Sequence, residues 1–356
     1  QPTPDILLGI VSKILRMTLR HTHVLNRWKT IHNTMFQKEA GNFKIHRLRV
    51  IHIMEADLQA IHKIAVARRL IQHASKNKAI HPDQWGGAPG KCCIDVAIKK
   101  TMELMYCSMN LQPAVIQYND AAACYDRIVK NLANMSLRAI GCPKDILALH
   151  AKCQRRYRYH VTTTNGVADE FNQHSKHTPF HGAGQGTTDA PARWNAVSGA
   201  IFRAYDHVSS ALPLINPSKT NTEVHRTSAW VDDASNCHAI NNNDTPLAIA
   251  ASIRHNAGWW ERILYSAGGK LSINKCAFVA LQWTPDMKGK PRLRPKASIP
   301  IKVEIPDSTT GHMQQIQQLN VNEAYKYLGV HIQADGGMPS QYNALLTKSN
   351  HYAKAI

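Results

Sequence analysis

The chain has 356 residues, with 43 Lys plus Arg against 24 Asp plus Glu, a formal net charge of +19. No apolar run reaches bilayer length, and the best candidate, "PDILLGIVSKIL", carries Lys13 and is followed by Arg16. Eight cysteines occur with no C-x-x-C pair, which excludes a zinc ribbon and a secreted disulfide framework and fits a reducing intracellular compartment.

Residues 5–27 read as a helix. The segment 36–53 reads as two short strands around Gly41, and 54–75 as an amphipathic helix. "QWGGAPG" (84–90) is a Gly/Pro loop, followed by a helix over 91–109. "PAVIQYND" is an apolar strand that ends on an acid, Asp120. Helices are predicted over 121–140 and 144–154, and a hairpin turning at Asn165-Gly166. "HGAGQGTTDAP" leads into a helix over 189–209, and the Pro/Asn/Ser/Thr-rich stretch 211–225 reads as an exposed loop. "SAWVDDASNC" reads as strand, tight turn, strand. A helix over 245–266 stops at Gly268-Gly269. Strands are expected over 276–284, 298–305 and 325–332, and a last helix begins at 338. The order predicts an α+β fold, an antiparallel sheet backed by helices.

Adjacent Asp232 and Asp233 pose the functional question. Two carboxylates at the end of a buried strand repel each other unless a cation lies between them. In an exposed turn the same pair would simply bond its own backbone. If the strand ending at Asp120 lies beside the hairpin, three carboxylates share one sheet edge. Hard oxygen ligands of that kind suit two Mg²⁺ ions, with Mn²⁺ the alternative. The positive charge spread over the chain favours a polyanionic partner, nucleic acid rather than a membrane. "HTH" (His21–His23) has no partners at ligand spacing and reads as surface histidine.

"YNDAAACYDRI", "GAGQGTTDAP", "WVDD", "GGKLSINKC" and "YKYLGVHI" occur in that order and resemble the palm motifs of reverse transcriptases, closest to the non-LTR retrotransposon type. Upstream, "FQKEAG…RLRVI" and "QWGGAPGKCCIDVAI" are similar to the fingers motifs of that family. The resemblance implies a right-hand polymerase: fingers over 1–110, palm over 111–148 and 178–335, a fingers/palm insertion over 149–177, and over 336–356 only the start of a thumb or connection. It implies RNA-directed DNA synthesis by two-metal-ion catalysis, with RNA template, DNA or RNA primer and deoxynucleotides as partners and no membrane.

Residue by residue, it implies that Asp120, Asp232 and Asp233 bind the metals and that Lys275 donates a proton to pyrophosphate. Lys38 and Arg49 would face the triphosphate, and Gln185 and Gly186 the nascent base pair. Tyr125 would lie under the sugar and refuse a 2′-hydroxyl, whereas RNA-dependent RNA polymerases, the first alternative, place an acid there; here Asp126 comes one residue later. Tyr327, Leu328 and Gly329 would lie near the primer end, although the same residues could be sheet core. Trp230, Ala190 and Ala88 depart from the residues common in the family, and none removes a metal ligand. A decayed or domesticated RNA-binding scaffold is the other alternative.

Overall fold

The computed structural model describes residues 4–45, 48–122, 124–175, 177 and 180–354. Parts of the expected segments at 36–53, 121–140 and 149–177 and the end of the last helix lie outside these residues. The chain divides into two compact units, Gln1–Ile80 with Gly87–Pro89 and Ala123–Ala200, and His81–Gly86 with Gly90–Ala122 and Ile201–Ile356.

The first unit holds a four-stranded sheet in the order Leu48–Ile53, Thr30–Gln37, Arg158–Thr163, Gly166–Gln173. Thr30–Gln37 runs antiparallel to the first of these and parallel to Arg158–Thr163. Its core gathers Trp28, Ile31, Leu58, Leu149, Cys153 and Tyr157. Trp28 is fully buried, and its indole N–H donates to Asp57 Oδ1 at 2.8 Å, so the ring is apolar on its faces and satisfied at its edge. The helix expected over 5–27 ends at His21, where Thr22 takes φ = 47° and Val24 turns into the core. Ala56–Ile61 continues through a π-helical stretch, His62–Leu70, into Ile71–Lys76.

The second unit is built on a six-stranded sheet in the order Val303–Pro306, Met313–Gln318, Ala277–Leu281, Ala114–Asp120, Asp233–Ala239, Thr227–Trp230. Ala114–Asp120 is central. Val115, Ile116 and Tyr118 are strand formers, and every residue of the strand but Asp120 is buried. Ala114, Ile116 and Tyr118 alternate onto one face, where Cys237, Val279 and Leu104 meet them. Helix Cys93–Asn110 packs beside Thr227–Trp230, and helix Pro246–Ser266 beside Val303–Pro306.

The α+β class holds, but both large sheets are mixed, not antiparallel. Ala277–Leu281 and Met313–Gln318 run parallel because Val303–Pro306 intervenes in the chain and reverses its direction. "MQQIQQ" escaped prediction since it carries four glutamines around a single buried isoleucine. The stretch 211–225 is not a loop. Leu212–Ile215 pairs with Thr222–His225, and Asn216 Oδ1 closes the turn by accepting from the N–H groups of Thr220 and Asn221 at 2.9 and 3.0 Å. The helix expected over 121–140 is broken between Arg127 and Lys130, with Val129 in extended conformation. The strand expected over 276–284 breaks at Gln282, whose amide donates to the carbonyls of Asn241 and Asp244 at 2.7 and 3.1 Å. The strand expected over 298–305 starts only at Val303, after a 3-10 turn at Lys296–Ser298 and Pro300.

One charged cluster is sealed behind the acid-bearing hairpin. Lys100 and Glu103, three residues apart on one helix, form a fully buried ion pair, and Glu103 also meets His225 Nε2 at 2.7 Å. Burial alone would depress the Lys100 ammonium, but Glu103 outweighs it and holds the group up at about 12. Burial likewise favours neutral Glu103, yet Lys100 and His225 hold it down at about 2. Removing one partner strands a charge in the core. Lys100→Met is expected to destabilise the protein by about 3–5 kcal/mol, read by urea denaturation. The double substitution Lys100→Met/Glu103→Leu should recover much of that loss.

Candidate active site

The acid-tipped strand and the acid hairpin are neighbours. Ala114–Asp120 pairs antiparallel with Asp233–Ala239, in a register that sets Asp120 opposite Asp233. Directly opposed residues hold their Cβ atoms about 4.5–5.5 Å apart, and like charges there are destabilising. Asp232 lies in the two-residue turn that joins Thr227–Trp230 to Asp233–Ala239.

That turn is held under constraint. Val231, β-branched, sits at φ = 58°, a region such residues rarely occupy. A glutamine grips it on both sides: the Gln84 amide donates to the Val231 carbonyl, and its Oε1 accepts from the Val231 N–H, both at 3.3 Å. Gln84 is buried, and its Oε1 also accepts from the Gly86 N–H at 2.9 Å. Gly86 must be glycine, because a Cβ there would meet the Val231 nitrogen at 2.3 Å. In the sequence nothing local ties the motif "QWGGAPG" to the acid turn. The Gln before the glycines, paired with a non-glycine hairpin turn, is the signal that was there to use.

Lys275 reaches the same edge from another direction. After helix Pro246–Ser266 the chain folds back along the end of the central strand. The Ala122 N–H donates to Lys270 O at 2.7 Å and the Ser272 N–H to Asp120 O at 2.8 Å. Glu261, buried, accepts from the Leu271 N–H at 3.0 Å and holds this return in place. Lys275 Nζ then lies 3.3 Å from Asp120 Oδ2, with most of the lysine side chain in solvent.

The hairpin Tyr325–Tyr327 / Val330–Ile332 closes the arrangement from behind. Leu328 and Gly329 form its turn with φ of 53° and 84°, both left-handed as a two-residue type I′ turn requires. Tyr325 stacks on Tyr118, ring centroids 4.1 Å apart. Tyr327 is buried, and its hydroxyl lies 3.3 Å from Ser228 O and 3.5 Å from Asp233 O. It braces the acid hairpin through the backbone.

The remaining predicted residues lie in the first unit. Lys38 follows strand Thr30–Gln37, and Arg49 pairs with Phe36 on the neighbouring strand; both cations are exposed. The Gln185 carbonyl accepts from the His52 N–H at 2.7 Å, which ties the glycine-rich loop to the strand bearing Arg49. Gly186, at φ = 95°, approaches that strand so closely that a Cβ would meet His52 O at 2.9 Å. Tyr125 is half-buried with its ring 6.4 Å from Trp194, and its carbonyl accepts from the Ala183 N–H at 2.7 Å. Burial raises the Asp126 carboxyl, which Lys38 partly offsets.

Below the glycine-rich loop a second polar network was not anticipated. Asp189, fully buried, takes two hydrogen bonds from Arg193 one helical turn on, and His62 Nδ1 stands 3.5 Å from its other oxygen. His150 Nδ1 is 3.3 Å from His62 Nε2, and Gln154 is 2.8 Å from His150 Nε2. Burial drives both imidazoles toward the neutral form. From Gln154 to His150 and from His150 to His62 each contact takes one proton, while His62 Nδ1 and Asp189 Oδ1 face each other without a hydrogen bond, and Arg193 supplies the charge that Asp189 requires. The i, i+4 Asp-Arg spacing was visible in the sequence, but the two histidines 88 residues apart were not.

No protein-family model matches the chain, and no curated protein matches it. Among solved structures it aligns with telomerase from Candida albicans in complex with the TWJ fragment of telomeric RNA, at 12% identity over 81% of this chain and 46% of that one, TM-score 0.48. Apo telomerase from Candida tropicalis, truncated from the C-terminal domain, aligns at 11% identity over 82% and 56%, TM-score 0.47. The Candida tropicalis enzyme with its TWJ fragment aligns at 12% identity over 76% and 45%, TM-score 0.46. The chain thus spans about half the length of these structures, and at such scores the likeness adds no weight to what its own residues show.

Asp233 carries the electrostatic signature of the cluster. Burial, then the charges of Asp232 and Asp120, push its carboxyl up to about 6, against a smaller opposing pull from Lys275. A raised carboxyl costs stability when ionised. That cost is absent below the ordinary value of 3.8, grows as pH rises, and is complete above about 6. In metal-free buffer, Asp233→Asn is therefore expected to raise the melting temperature by about 2–4 °C at pH 8 and to leave it unchanged near pH 3.5, as read by calorimetry.

Proposed function

We propose that this chain is the polymerase part of an RNA-directed DNA polymerase of a non-LTR retroelement, extending a primer 3′-hydroxyl with deoxynucleotides on an RNA template. The observation that carries the reading is the register that opposes Asp120 to Asp233 with Asp232 in the adjoining turn. Seven motifs in family order support it, as does the net charge of +19.

The donor set fits divalent magnesium or manganese: three carboxylates, one of which holds its proton too tightly for an ordinary surface acid. Asp120, Asp232 and Asp233 would hold two such ions, which when bound would ease deprotonation of the attacking hydroxyl and stabilise the negative charge on the leaving pyrophosphate. Lys275 is the proton donor to pyrophosphate, Lys38 and Arg49 hold the triphosphate, and Gln185 and Gly186 support the nascent pair. Tyr125 excludes the 2′-hydroxyl. Leu328 and Gly329 meet the primer, and Tyr327 fixes the acid hairpin behind them. The eight free thiols suit a reducing compartment, cytoplasm or nucleus.

Two measurements test this. Asp232→Asn is expected to lower primer extension on an RNA template at least a thousandfold while RNA affinity stays within about twofold, because a metal ligand is lost and the basic surface is kept. Extension by that variant at the wild-type rate refutes the site. Tyr125→Ala is expected to raise ribonucleotide incorporation at least tenfold relative to deoxynucleotide; an unchanged ratio removes the sugar-selection role.

A further inference from the structure

The stretch "KGKPRLRPK", Lys288 to Lys296, places a cation at every second residue. The function proposed above makes no use of it. Its fold explains the spacing. Trp283–Pro285 pairs with Pro291–Leu293 as a two-stranded arm, with Trp283 opposite Leu293 and Thr284 opposite Arg292. Trp283 is buried in the palm-side core and Leu293 packs against the same core. Since side chains alternate along a strand, anchoring Leu293 inward turns Arg292 outward; Lys288, Lys290 and Lys296 are exposed too, while Arg294 is half-buried.

Backbone hydrogen bonds order the tip. Asp286 Oδ1 accepts from the Lys288 and Lys290 N–H groups at 2.8 and 2.9 Å, so one carboxylate organises the turn through the backbone. Asp286 Oδ2 accepts from the Arg292 guanidinium at 3.0 Å, which leaves most of that group's donors exposed. Arg294 is tethered to Gln282 and Ser298, and Lys296 to Gln318 O. Among the described residues no carboxylate pairs with the Lys288 or Lys290 side chains, and both are exposed. Five cations thus stand against one acid between residues 283 and 296.

We propose that this arm is a second nucleic-acid contact, one that grips the phosphodiester backbone of RNA or DNA without reading its sequence. No exposed aromatic ring lies on the arm, so base stacking is not its mode. Its one large exposed apolar side chain, Met287, is too little for a membrane wedge, which would need several. Basic side chains on an extended arm contact phosphates, positioning a strand and carrying no sequence information.

The test is binding alone, so it stands apart from the polymerase reading. Affinity for a labelled 20-nucleotide RNA, and for DNA of the same length, is measured by fluorescence anisotropy between 50 and 300 mM KCl. Lys288→Gln/Lys290→Gln is expected to weaken both about tenfold near 100 mM and to flatten the log–log salt slope by about 1.4, two single-strand phosphate contacts. Lys288→Arg/Lys290→Arg should bind as wild type, which separates charge from misfolding. Unchanged slopes for both nucleic acids overturn the proposal. So does a variant that binds nucleic acid normally but loses affinity for vesicles containing phosphatidylserine, since the arm would then be a membrane contact. A loss confined to RNA or to DNA keeps the backbone contact and assigns it to that strand.

Discussion

The acid edge of the second unit turns on one unfavourable juxtaposition, Asp120 directly across a strand pair from Asp233. A fold selected for stability alone would not place two carboxylates there. The surroundings are arranged to hold the conflict in place. Gln84 grips the strained Val231 turn, Tyr327 braces the hairpin backbone from behind, and the loop after helix Pro246–Ser266 brings Lys275 to Asp120. Each support acts through the backbone or through a buried polar group. Lys275 offsets part of the repulsion, and burial with the neighbouring acids still pushes the Asp233 carboxyl up.

The buried ionic clusters have a related character. Lys100–Glu103–His225 lies behind the acid hairpin, and Asp189–Arg193 with its two histidines lies under the glycine-rich loop. Ion pairs sealed from water add little net stability compared with apolar residues of the same size, but losing one partner strands a charge and is costly. Both clusters join elements distant in sequence: a helix to a hairpin in one unit, and three helical segments in the other.

Much of this was legible in the sequence because it follows from period and punctuation. The apolar strand ending on Asp120, the hairpin that carries Asp232 and Asp233, and the helix stop at Gly268-Gly269 appear where their residues put them, while the hairpin expected to turn at Asn165-Gly166 turns one residue earlier, at Thr164-Asn165, with Gly166 already paired to Thr163. What stayed hidden is non-local or chemically disguised. Met313–Gln318 is a strand by virtue of its neighbours, since four glutamines give no periodic signal. Leu212–Ile215 was masked by the Asn- and Thr-rich turn that follows it. Gln84 looks like any loop glutamine until the fold brings Val231 to it, and His62 and His150 look like two more surface imidazoles in a chain with 20. The acids could be grouped from sequence; the groups that hold them could not.

The central position of Ala114–Asp120 also bears on how the molecule assembles. Both strands that flank it, Asp233–Ala239 and Ala277–Leu281, are synthesised more than a hundred residues later. Contacts so remote along the chain carry a large closure entropy and form slowly. On the ribosome, this apolar segment leaves the exit tunnel long before anything can cover its two edges. Asp120 and Asp233 can come together only after that interval.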